Sequence, residues 1–157
     1  MERERVFTGI VVTAVMLNPS TANDVKDDAT VTRLLTVAAE MKARRLVIVN
    51  LFAVRTAYPR ELRIASDPIG VENDQYVLSA LNECDRLIFA WGASRNFPRS
   101  FACRWREVSN WAAKLGKEPS CFGVCKDGHP RHPSRMPRNT VPQAWTEVQC
   151  LSRRTLD

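Results

Sequence analysis

Three short stretches carry residue types suited to chemistry. The first is "VMLNPSTANDVKDD", residues 15–28, which leaves an apolar run through Asn18, Pro19 and Ser20 and then sets out Asp24, Asp27 and Asp28. The second is "VIVNLF", where Asn50 ends another apolar run. The third is "KDGHPRHPSRMPR", residues 126–138, which holds both histidines of the chain, His129 and His132, beside Arg131, Ser134, Arg135, Met136 and Arg138. A side-chain amide offers two donors and an acceptor in one plane, enough to read the edge of a base or to aim a water. Imidazole changes charge near neutral pH. Arginine forks match phosphate with two parallel hydrogen bonds. Each residue also has a plainer reading. Asn18 before a proline can be a turn residue, Asp28 can be a helix N-cap, and Asp24 and Asp27 can be solvated loop carboxylates.

The elements that must position these groups follow from periodicity. Residues 10–17, 45–52, 86–92 and 120–125 are short apolar runs that predict strands. Residues 29–43 place Val31, Leu34, Leu35, Ala38 and Met41 at helical spacing, with Asp28 before them. Residues 71–83 and 99–115 also predict helices, the latter amphipathic and stopped by Gly116. A loop is expected around Pro59 and Pro68, a long structured loop over 126–142, and a closing helix in "QAWTEVQCL". Strands apolar throughout and separated by helices imply a mainly parallel sheet covered on both faces. The expectation is therefore a three-layer α/β/α sandwich around four strands. Ligands of such sheets bind beyond the carboxyl ends of the strands, which is where all three stretches fall.

Composition narrows the class. The 157 residues are 45% hydrophobic and 25% charged, which suits one domain with one core over 1–157 and residues 152–157 as a loose tail. No stretch reaches the ~20 apolar residues of a membrane span, and "MERERVF" does not read as a secretion signal. Five cysteines without a CxxC pair suit reduced thiols in a cytoplasmic protein. A net charge of +6 rich in arginine suits a nucleic-acid partner. Cys121, Cys125, His129 and His132 resemble a series of zinc ligands. A strand over 120–125 would hold the two sulfurs about 13 Å apart, too far for one ion, so no metal is expected, and "GASRN" matches neither dinucleotide nor P-loop spacing, so no cofactor is expected. Phe52, Phe97 and Trp91 stand at or just past strand ends, where an aromatic ring could stack on a base.

Taken together, "MLNPSTA", "VNLFAVR", "WGA" and "KDGHPRHP" resemble a domain family of small bacterial and phage proteins, over residues 15 to about 135. The same motifs, in the same order, resemble the uracil-DNA glycosylase superfamily. That resemblance puts Asn18 of "LNPS" at the catalytic position and makes Asn50 the reader of the pyrimidine edge. "FAWGA" matches its third strand. "HPSRMP" matches its final loop, with His132 stabilising the departing base, Ser134 on a phosphate and Met136 entering the duplex. The departures are Asn in place of Asp, Arg135 in place of a proline, and a shorter chain.

What the resemblance implies is a monomeric DNA glycosylase that acts on an everted pyrimidine. Asn18 would aim water and His132 would meet the leaving base. Asp24 or Asp27 would help the sugar cation. Ser20, Asn50, Phe52, Trp91 and His129 would surround the base. Arg131, Ser134, Arg135 and Arg138 would hold DNA. Uracil-specific enzymes carry an aromatic after the Asp-Pro that blocks the pyrimidine 5-position. Ser20 stands there in this chain, so the expected substrate is a 5-modified pyrimidine, such as a hydroxymethylated or glucosylated cytosine of phage DNA. Plain uracil repair, a nucleoside or nucleotide hydrolase, and a non-enzymatic nucleic-acid binder are the alternatives.

Overall fold

The computed structural model describes residues 8–19 and 24–151. Its strands are β1 (Ile10–Met16), β2 (Ala43–Asn50), β3 (Arg86–Phe89), β4 (Pro119–Cys121) and β5 (Gln143–Ala144). Its helices are α1 (Asp24–Glu40), α2 (Pro59–Ile64), α3 (Asn73–Glu83), α4 (Arg104–Lys114) and α5 (Val148–Leu151). Ser94–Asn96, Arg99–Phe101 and Pro133–Arg135 are 3-10 turns. The strands form one sheet in the order β2-β1-β3-β4-β5. The first four run parallel, and β5 is antiparallel to β4.

Alternation along the strands makes the layers. Val12, Ala14 and Met16 of β1, with Ile88 and Ala90, pack on Leu34, Val37 and Ala38 of α1. Val15, Val49, Leu51, Leu87, Phe89 and Trp91 point the other way, to Val77, Ala80 and Leu81 of α3 and Trp105, Val108 and Ala112 of α4. The protein is thus an α/β fold with helices on both faces of a mostly parallel sheet. Burying each large apolar side chain contributes roughly 1.5–3 kcal/mol, and both faces are needed to cover β1, which is buried from Val11 to Met16.

The structure departs from the periodicity in several places. The sheet has five strands, not four, because Gln143–Ala144 pairs with Ser120–Cys121 where a helix was expected. The cause is Trp145, which is 3% exposed and packs edge-on against Phe89, Trp91 and Trp105. That burial outweighs local helix preference, and helix resumes only at Val148. α1 starts at Asp24 and so takes in Asp28, which is not its N-cap. Residues 59–64, expected as loop, form α2 with Pro59 in the first turn, where its missing N–H costs nothing. The span 99–115 divides into a 3-10 turn and α4. β3 and β4 end at Phe89 and Cys121, three and four residues before the apolar runs do.

Candidate functional site

The chain passes from β1 to β2 on one side of the sheet, while β3 lies on the other side of β1. The strand order therefore reverses between β1 and β3. In open parallel sheets this reversal opens a crevice at the carboxyl ends. Asn18 follows β1 and the Trp91–Gly92 segment follows β3, one on each side of it. The turn bearing His132 arrives at the same place. Gly92 donates its N–H to Pro130 at 2.9 Å, and a Cβ built on Gly92 would stand 3.6 Å from the His132 Cβ.

Asn18 is half-buried and fixed in orientation. Its Nδ2 lies 3.0 Å from the Pro19 carbonyl, 3.0 Å from that of Val54 and 2.8 Å from that of Thr56. Rotating the amide would set Oδ1 against three carbonyl oxygens, so the nitrogen end must face them. The amide thus ties the exit of β2 to the exit of β1, and Oδ1 is an acceptor with no donor on it among the described residues. Asn18 is therefore both a turn residue and a group with capacity for a water.

His132 is fixed the other way round. Its Nδ1 accepts the Ser134 N–H at 3.1 Å and lies 2.8 Å from Ser134 Oγ, capping the Pro133–Arg135 turn. A backbone N–H on Nδ1 requires that nitrogen to carry no proton, so the neutral ring is protonated at Nε2. His132 is then a hydrogen-bond donor at Nε2, and Ser134 is the residue that sets this.

Asn50 ends β2 as the register partner of Met16. Partners in a parallel pair share a face, so the Asn50 side chain lies on the α1 side of the sheet with Met16. Its backbone is braced: Asn73 Nδ2 donates to the carbonyls of Asn50 at 3.0 Å and Leu51 at 3.2 Å. Arg104, 2% exposed, adds its Nε–H to Leu51 at 3.1 Å and holds Asp74 and Glu107 with its other nitrogens at 2.6 and 2.9 Å.

The structure does not bring every expected residue to this edge. Phe52 and Trp91 are 0% and 1% exposed, so neither offers a ring face for a base. His129, 2% exposed, sits among Trp91, Phe97 and Trp105, and its Nδ1 accepts the Trp91 indole N–H at 3.1 Å. These three residues support the strand ends from within. Met136 is half-buried against the α1 face of the core, a seat that a duplex wedge would have to leave. Arg131 donates through Nε to the Val124 carbonyl at 3.1 Å and is held to the exit of β4. Ser134, Arg135 and Arg138 are exposed. Asp24 and Asp27 contribute their backbones to the start of α1. Ser20 lies outside the described residues, as does the tail 152–157. A cavity of about 370 Å³ lies between β2 and α3, and one of about 440 Å³ lies by Ala53, Gly70 and the start of α3. Asn50 borders the first, and Asn18 and His132 border neither.

Two residues of this edge escaped the sequence reading. Asp127 accepts the Ser94 N–H and hydroxyl on one oxygen, and the His129 N–H at 3.2 Å on the other. It joins the loop after β3 to the loop after β4. Burial alone would raise its pKa, but the bonds from Ser94, with smaller help from His129, bring it below the usual carboxylate value. Arg33 on α1 donates Nη1 to the carbonyls of Pro133 at 2.8 Å and Met136 at 3.0 Å, holding the His132 turn against the helix. The Asp-Gly-His run signals a tight turn, but nothing local pairs Asp127 with Ser94 or Arg33 with residue 133. Burial pushes the thiols of Cys84, Cys121 and Cys125 up. Among the described residues no three His, Cys, Asp or Glu side chains gather as metal ligands, and no helix is long and apolar enough to cross a membrane.

A family model described as "Protein of unknown function (DUF1643)" matches residues 2–134. The chain belongs to the DUF1643 family. No curated protein matches it, and no solved structure does. The DUF1643 match runs from before β1 to the turn that carries His132 and Ser134, and so spans the exits of all four parallel strands.

Proposed function

We propose that the protein is a monofunctional DNA glycosylase that hydrolyses the N-glycosidic bond of an everted, 5-modified pyrimidine. What carries the reading is the opposite hydrogen-bond polarity of two fixed groups flanking the reversal of strand order: an acceptor at Asn18 Oδ1 and a donor at His132 Nε2. Hydrolysis needs that pairing. The bond from C1′ to the base nitrogen breaks with its electron pair leaving on the base. Positive charge builds on the sugar, and a water oxygen bonds to C1′ as its proton is lost to solvent. Asn18 Oδ1 holds the water by accepting one of its hydrogens. His132 Nε2–H stabilises the departing base as an oxyanion-hole donor does, an interaction worth about 2.7–4 kcal/mol. Asp24 and Asp27, at the start of α1, offset the sugar cation.

Asn50 reads the base edge from the neighbouring strand. Eversion from the stack costs a few kcal/mol, met by phosphate contacts from Arg135 and Arg138. Ser20, small where uracil-specific enzymes carry an aromatic, leaves room at the pyrimidine 5-position. A cytoplasmic monomer of this kind would strip modified cytosines from phage DNA and so act in defence.

The test is mass analysis of bases released from DNA containing uracil, hydroxymethylcytosine or glucosylated cytosine. The expected result is release of the 5-modified base and an abasic site. Release of uracil alone keeps the glycosylase and removes the open wall. Cleavage of free nucleosides without DNA cleavage makes the protein a nucleoside hydrolase. DNA binding with no base released under any condition leaves only a binding protein.

A further inference from the structure

Arg33 is half-buried, and the only hydrogen-bond partners its guanidinium has among the described residues are two carbonyl oxygens, both reached through Nη1. The ion pairs among the described residues are Arg45–Glu83, Arg104–Asp74, Arg104–Glu107 and Arg106–Glu147, and Arg33 is in none of them. Arg135 lies on the same 3-10 turn that Arg33 holds, exposed and likewise outside these pairs. A partly buried guanidinium with no carboxylate on it among the described residues gains from an anion brought to it. With Nη1 committed, Nε and Nη2 remain, and these two nitrogens form one edge of the guanidinium fork. That edge matches two oxygens of a phosphate.

We propose that Arg33 is a phosphodiester-binding residue: its Nη1 secures the His132 turn, while its Nε–Nη2 edge, with Arg135 on that same turn, takes one backbone phosphate of DNA. This rests on the glycosylase reading and extends it. The same side chain that feels the DNA backbone holds the turn from which His132 acts, so DNA contact and catalytic geometry share one residue.

Binding of an unmodified DNA duplex by the full chain tests this across a salt series, because one lost phosphate contact lowers the log–log slope by about 0.9. Arg33→Gln is expected to flatten the slope by that amount. Arg33→Lys keeps the charge and should keep the slope, although it cannot also make both carbonyl bonds. A purely structural role would weaken both variants with no change of slope, and that result overturns the proposal. Labelling of the wild-type protein with phenylglyoxal supplies a reading that no substitution can confound. Saturating duplex should protect Arg33, and an unchanged labelling rate overturns the assignment. Equal protection by inorganic phosphate at matched phosphate concentration would make this a free-phosphate site and overturn the nucleic-acid source. If the wild type shows no salt-dependent DNA binding, the glycosylase reading itself fails. A slope unchanged only in Arg33→Gln removes Arg33 alone.

Discussion

One carboxylate oxygen of Asp127 accepts both the amide and the hydroxyl of Ser94, at 2.8 and 2.7 Å. The pair fastens the loop that follows β3 to the loop that follows β4, two residues before His129 and five before His132. Its strength depends on the carboxylate being charged, because hydrogen bonds to an ionised acceptor are roughly twice as strong as neutral ones.

A pH dependence follows with a definite sign. The pKa of Asp127 is lower in the fold than in the unfolded chain, so the unfolded state binds the proton more readily. The stabilisation is complete above the unfolded value of about 3.9 and is lost as pH falls through the lower, folded value. Asp127→Asn should therefore destabilise the protein by about 1–3 kcal/mol near neutral pH. The gap between wild type and variant should close progressively below pH ~4. Chemical denaturation at a series of pH values measures this, and a gap that is constant down to pH ~2 contradicts the assignment.

The two histidines should separate cleanly. His129 accepts the Trp91 indole N–H inside an aromatic cage, so His129→Ala removes packing and strands a buried donor. The expected loss is about 2–4 kcal/mol. His132 is half-exposed on a turn, and His132→Ala should leave stability within about 1 kcal/mol of wild type while lowering base release by about 10²–10³. Thermal melts and single-turnover base release, measured on both variants, check the division. A His132→Ala protein that keeps full base release overturns its role.

Gly128 tests the seat of the loop. It has φ +82°, and a Cβ there would fall 1.9 Å from the Gln149 carbonyl oxygen. Gly128→Ala must move the backbone at Gln149, near the start of α5, as well as adopt a strained conformation. The expected cost is at least about 2–4 kcal/mol, read as a lowered midpoint in denaturant. A variant as stable as wild type would mean that α5 yields freely.

Much of this edge was legible in the sequence because strand ends announce themselves. An apolar run stops, and an Asn, a Gly or a turn begins, which located Asn18, Asn50 and the Trp91–Gly92 exit. Type alone could not separate His129 from His132, since both sit in one proline-stiffened tetrapeptide. Their difference is made by Trp91, Phe97 and Trp105, which converge only in three dimensions. The same holds for Trp145, whose burial against those rings turns an apparent helix into β5. Nothing local in the sequence marks Arg33. Its role comes from carbonyls 100 and 103 residues away, a separation that no local pattern encodes.

Asn18→Asp is the most informative change, because it substitutes the carboxylate that the resembling enzymes use. The geometry opposes it. Nδ2 of Asn18 stands among the carbonyls of Pro19, Val54 and Thr56, and Asp would place a charged oxygen against three oxygens with no proton between them. Either the carboxyl stays protonated and bonds one of them, or the exit of β2 moves away from the exit of β1. The first route must hold a proton on the carboxyl at neutral pH, the second gives up the tether, and both lose at least one hydrogen bond, so a destabilisation of about 1–3 kcal/mol is expected at neutral pH, shrinking as pH falls and the carboxyl protonates. On the proposed glycosylase reading base release should drop with it, since the acceptor assigned to the water no longer has a fixed position. Asn18→Ala also cuts the tether but adds no charge, so its stability loss should be flat with pH. Denaturation of both variants across pH 4–8, together with base release at each pH, makes the comparison. An Asn18→Asp protein that is as stable as wild type and more active would show that the three carbonyls do not set the orientation of this amide, and the water-aiming role would pass to another group.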